Sequence, residues 1–128
     1  MSQLSVCRTV PFPTTVILVD GVQRTLTSAD VPGFPAGGLI VGWDVANVMT
    51  TASSIWARVG DATITLPGTD PGNAVLLTAG SRYAFIREES ILNTEDAEFW
   101  GSLALLSSGG GYTCSAVATV LLPPGVTV

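Results

Sequence analysis

Residues 88–98 hold the densest group of ionisable side chains in the chain: Glu88, Glu89, Glu95, Asp96 and Glu98. Two carboxylates facing one another across a bound sugar are the working parts of glycoside hydrolysis, one giving a proton while the other activates water or attacks carbon. Trp43, Trp56 and Trp100 would supply the stacking platform such a site needs. The rest of the chain argues against that use. All five basic residues are Arg and there is no His, so no Ser or Cys has the base that triad chemistry requires. Carboxylates in a loop are usually solvated, and Trp43 and Trp56 fall inside strand patterns, where packing is the simpler role. No catalytic residue is assigned. The acids are read as a contact for an ion or for a basic patch on a neighbouring subunit, with Thr94 capping a short helical turn that begins at Glu95.

The other chemistry-bearing types lead to the same place. Cys7 and Cys114 stand near opposite ends of the chain, and without His they cannot form the usual zinc site. They are either two buried thiols or a disulfide joining first and last strands. Neither GxxxxGK[ST] nor a GxGxxG opening a helix is present, so the glycines cradle no phosphate. The loop of residues 67–73, PGTDPGN, holds a single acid and makes a poor calcium cage. No cofactor and no metal are expected.

Ten acids against five arginines leave a formal net charge of −5, which repels phosphate backbones and makes nucleic acid an unlikely partner. Only 12% of residues are charged while 47% are apolar, against about 25% charged in an ordinary soluble domain. Burial against other subunits accounts for that imbalance. The N-terminal residues lack the pattern of a secretion signal, and no apolar run is long enough to span a membrane, so no membrane partner is expected.

The elements that must position these groups are strands. Residues 54–59 and 62–66 alternate apolar and polar with period 2, which predicts a hairpin about Gly60-Asp61 with Val59 facing Ala62, Ala57 facing Ile64 and Ile55 facing Leu66. A turn at Ala79-Gly80 would set Leu76 opposite Tyr83. Asp20-Gly21 predicts a third hairpin, pairing Val19 with Val22 and Ile17 with Arg24. A first strand is expected to end at the corner Val10-Pro11-Phe12-Pro13. Residues 28–38 read as irregular, with Phe34 plugging the end of the barrel, tethering the loop or anchoring a neighbour. Residues 39–49 form a strand bent at Gly42, with Asp44 and Asn47 exposed. The last strand runs over 112–122 with Tyr112, Cys114, Ala116, Ala118 and Val120 on one side, and 123–128 is a short tail.

Together these predict an all-β chain of eight to ten short strands, a single domain over 1–128, folded as an antiparallel β-sandwich or jelly-roll-like barrel.

The phrase Ile55-Trp56-Ala57-Arg58-Val59-Gly60-Asp61-Ala62, followed by Leu66, Gly72, Ala74-Val75-Leu76-Leu77, Gly80 and Tyr83-Ala84-Phe85-Ile86, resembles the small β-sandwich virion proteins of tailed bacteriophages. The resemblance implies a non-enzymatic structural subunit that decorates or stabilises a capsid, or serves in a connector or tail. Such a subunit is a homo-oligomer within a larger virion assembly, found in the virion after assembly in the host cytoplasm. The residues expected at its interfaces are Phe34, Pro67, Thr69, Asp70, Asn73, Glu88, Glu89, Glu95, Asp96 and Trp100. The alternative is a carbohydrate-binding β-sandwich module using exposed Trp43 or Trp100.

Overall fold

Among the described residues the period-2 runs become eight strands: β1 (Arg8–Ile17), β2 (Arg24–Leu26), β3 (Leu39–Asn47), β4 (Ser54–Val59), β5 (Val75–Thr78), β6 (Arg82–Ile86), β7 (Leu103–Ser108) and β8 (Thr113–Leu122). They are seen in a computed structural model that describes residues 8–60, 63–66, 72–86, 101–123 and 125. Two four-stranded sheets face one another, ordered β1-β8-β3-β6 and β2-β7-β4-β5, and neighbouring strands are antiparallel throughout. Of the strands consecutive in sequence, only β4 and β5 are also paired. Every other step carries the chain from one sheet to the other, which is the order of a jelly roll.

Alternation in β8 puts Cys114, Ala116, Ala118 and Val120 into the core, where they meet Ile55, Ala57, Leu103 and Leu105 of the other sheet. Trp43 is 1% exposed. Its strand neighbour in register is Ala118, and a methyl there leaves room for the indole, as close packing of large against small requires. The bend expected at Gly42 is present as a register shift between Ile40 and Gly42 against β8.

The expected turns exist, yet the hairpins do not. Val22 N–H bonds Val19 O at 3.0 Å and Gly21 has φ +73°, a backbone state that L side chains rarely adopt. Ile17, however, pairs with Thr113 of β8 and Arg24 with Leu105 of β7. The turn is a corner between sheets. Likewise Ser81 N–H bonds Thr78 O at 2.9 Å with Gly80 at φ +79°, but β5 and β6 lie in different sheets, so Leu76 and Tyr83 are not partners. Gly60 has the expected positive φ. Residues 63–66 nevertheless form no ladder with β4, because its two sides are taken by β5 and β7. Ile55 therefore faces Leu77 and Ser107 rather than Leu66, and Asp61 and Ala62 lie outside the described residues.

Nor does the chain turn at residues 10–13. β1 runs straight through Pro11 and Pro13 as an edge strand. The two prolines are two apart, so both nitrogens lie on the row facing away from β8, where no ladder bond is lost. Residues 28–38 include one short 3-10 turn, Ser28–Asp30, with a reciprocal capping box in which Asp30 accepts the Thr27 amide at 2.9 Å.

Candidate functional site

Register fixes what lies at each end of the sandwich. Ile17 of β1 and Asn47 of β3 flank the start of β8, while Ser54 of β4 is level with Thr78 and Ser108. One pole therefore gathers the connections 18–23, 48–53, 79–81 and 109–112. The connections 27–38, 60–74 and 87–102 are anchored at the other, as is Arg8 opposite Leu122.

At the first pole the four connections are bonded to one another. Asn47, 1% exposed, donates from Nδ2 to Ser53 Oγ at 2.9 Å and to Leu77 O at 3.0 Å, and its Oδ1 accepts Met49 N–H at 3.0 Å. Its backbone N–H donates to Ser81 O, and its carbonyl accepts Gly80 N–H. One side chain thus ties three elements, and all its donors and its acceptor are engaged. The exposure expected of Asn47 is overturned, because the amide replaces water as partner for groups that packing has buried. Leu18 N–H bonds Tyr112 O and Gly21 N–H bonds Ser107 O. Gly109 N–H reaches Asp20 Oδ1, and Thr113 N–H reaches the Met49 sulfur at 3.4 Å.

This rigid end carries an apolar surface. Ile17, Val19, Val22 and Val48 are 73%, 64%, 55% and 49% exposed. Sequence reading did not single them out, though a signal was there: neither face of residues 15–26 is cleanly polar. Charge at this pole is sparse. Asp44 and Arg82 form an ion pair on the outer face of β3 and β6, which raises the Arg82 pKa through the hydrogen bond and then the charge of Asp44.

Of the residues expected at interfaces, Phe34 and Asn73 are described. Phe34 is half-buried with its ring 6.5 Å from that of Phe12. It lines a cleft of about 160 Å³ with Thr27, Leu39 and Ile40. Its loop-tethering role is met. Asn73 is exposed, and its side chain accepts Thr65 N–H at 2.8 Å and donates to Thr63 O at 3.0 Å, holding residues 63–66 in place. Ile64 is buried there, its N–H on Gln23 Oε1. Pro67, Thr69, Asp70, Glu88, Glu89, Glu95, Asp96 and Trp100 lie outside the described residues.

Chemistry is scarce in what remains. Among the described residues no group of three or more His, Cys, Asp or Glu is placed to hold a metal. Cys114 is buried, and desolvation, partly offset by Arg24, pushes its pKa up to about 11, so it carries the inert thiol of a core residue. Cys114 is a free thiol among the described residues, and Cys7, the other half of the alternative disulfide, lies outside them. Burial of Trp43 also removes it as a sugar platform.

No protein-family model matches this chain, and no curated protein matches it. Among solved structures, the coat protein of Tobacco streak virus aligns with a TM-score of 0.48 at 8% identity, over 94% of this chain and 90% of that one.

Proposed function

We propose that this chain is a non-enzymatic structural subunit of a virion, one that decorates or stabilises a capsid through protein–protein contacts. The observation that carries the reading is the strand order β1-β8-β3-β6 over β2-β7-β4-β5, an architecture used by capsid, lectin and cupin domains. Two of those three uses fit poorly. Cupin chemistry relies on histidine ligands, and the sequence has none. A lectin surface built on Trp43 is lost to the core. Assembly remains, and it agrees with 12% charged residues and with four exposed aliphatic side chains at one pole.

In this reading the chain acts as one domain, forms a homo-oligomer and holds neither cofactor nor nucleic acid. The acidic residues 88–98 and the loop 67–73 form a second contact surface, selecting a basic patch on the shell by charge. Sedimentation velocity and native mass of the purified protein over a concentration series test it. A stable trimer or larger closed ring is expected. A persistent monomer with saturable glycan retention would overturn it in favour of a carbohydrate-binding module.

A further inference from the structure

We infer that the open edge of β6 is where two copies of this chain meet, strand against strand about a two-fold axis. The inference rests on reading the chain as an assembly subunit and names one contact that assembly uses. β6 ends the first sheet, and no described strand pairs with its outer margin. Its register with β3 sets Tyr83 opposite Val45 and Phe85 opposite Trp43. Asn47 N–H bonds Ser81 O at 2.9 Å, two residues along each strand from the Val45 and Tyr83 rung, so by the alternation of an antiparallel ladder the N–H and C=O of Tyr83 and Phe85 also turn to β3. Those of Arg82 and Ala84 turn outward, and both residues are exposed. Backbone donors and acceptors repeating at every second residue fit an extended strand.

The sequence of β6 selects the occupant, because it is its own complement. Antiparallel pairing centred on Ala84 lets the two Ala84 residues exchange both hydrogen bonds and sets Tyr83 of each copy opposite Phe85 of the other, on a rung where side chains approach most closely. Tyr83 and Phe85 share one face of the strand with their rings 4.8 Å apart. Tyr83 is 46% exposed, so aromatic surface is available for that cross-strand contact. Like charges do not face one another: Arg82 meets position 86 of the other copy, and its guanidinium is held by Asp44 of β3. The cation that would otherwise guard this edge is thereby neutralised. The opposite margin of the sheet, β1, carries Pro11 and Pro13, which confines pairing in this sheet to β6 and closes it at two copies.

Sedimentation velocity and native mass of the full-length protein should give only even multiples of the 13.2 kDa chain. Ala84→Pro deletes the central outward N–H without removing a bond to β3, and Tyr83→Asp puts a charge into the aromatic pair. Each, with folding checked by circular dichroism, should weaken self-association at least about tenfold. Ala84→Ser keeps the N–H, and Val22→Asp lies in the connection between β1 and β2; both should associate as wild type. Ala84→Cys should form an intermolecular disulfide on mild oxidation that neither wild type nor Val22→Cys forms, since Cα atoms of a hydrogen-bonded antiparallel pair lie about 5.5 Å apart. An odd-numbered species such as a trimer, or unchanged association of both Ala84→Pro and Tyr83→Asp, would overturn the β6 contact and leave the assembly reading standing. A wild-type chain that stays monomeric at every concentration overturns both.

Discussion

Two asparagines do the same work at opposite ends of the molecule under opposite conditions. Asn47 and Asn73 each use the side-chain amide to donate to a backbone carbonyl and the side-chain carbonyl to accept a backbone N–H. Asn47 does so fully buried, beneath four converging connections, whereas Asn73 does so in water. A hydrogen bond whose partners can turn to solvent contributes modestly, while one whose loss strands a buried group is expensive to break. The pole with Asn47 is therefore a fixed platform. The loop that Asn73 holds is a local clip.

Substitution at each position measures that contrast. Asn47→Leu orphans the Leu77 carbonyl and the Met49 amide. At about 1–3 kcal/mol for each stranded group, a loss of about 3 kcal/mol is expected in urea denaturation. Cys114, which pairs with Asn47 in register, reports on the same buried region through pH. Its folded pKa of about 11 exceeds the ordinary thiol value of 9.0, so the folded state holds the proton more tightly. The stabilisation is complete below pH 9 and lost as pH rises towards 11. Denaturation series should show wild type losing about 2–3 kcal/mol relative to Cys114→Ala across that window; parallel curves would mean that the thiol is hydrated. Asn73→Ala should cost only about 0.5–1 kcal/mol, with faster hydrogen exchange confined to the Thr65 amide and its neighbours. Equal losses at Asn47 and Asn73 would dissolve the distinction between the two ends. Asp44→Asn, which breaks an exposed ion pair, should leave the denaturation midpoint where it was.

The strands were legible because each carries its own period. β4 and β8 follow the alternation of residues 54–59 and 112–122 closely, while β3 is buried continuously over residues 40–43 around its register shift, and Trp43 in that run was readable as core. Turn positions were legible too, since Gly21, Gly60 and Gly80 all have positive φ. Partners were not. A two-residue turn with Gly bends the chain equally well into a hairpin or around a corner, and alternation satisfies either outcome. What separates them is competition from strands far away in sequence: β8 claims Ile17 and β7 claims Arg24. The same non-locality hid Asn47. A polar residue after an apolar run reads as a strand end in solvent, and only the approach of Ser53, Leu77 and Ser81 makes it a buried tie. The platform was hidden for that reason, and its aliphatic rim was masked by the hairpin expected about Asp20-Gly21, which would have paired Val19 with Val22.

The prolines of β1 bear on what this chain does when it is crowded. Along the outer margin of the first sheet, two successive places where an approaching strand would look for an N–H offer none, at Pro11 and Pro13. Copies held at high local concentration therefore cannot lengthen that sheet from the β1 side, and the runaway stacking that ends in fibrils finds no template there. At that margin the fold has a built-in stop.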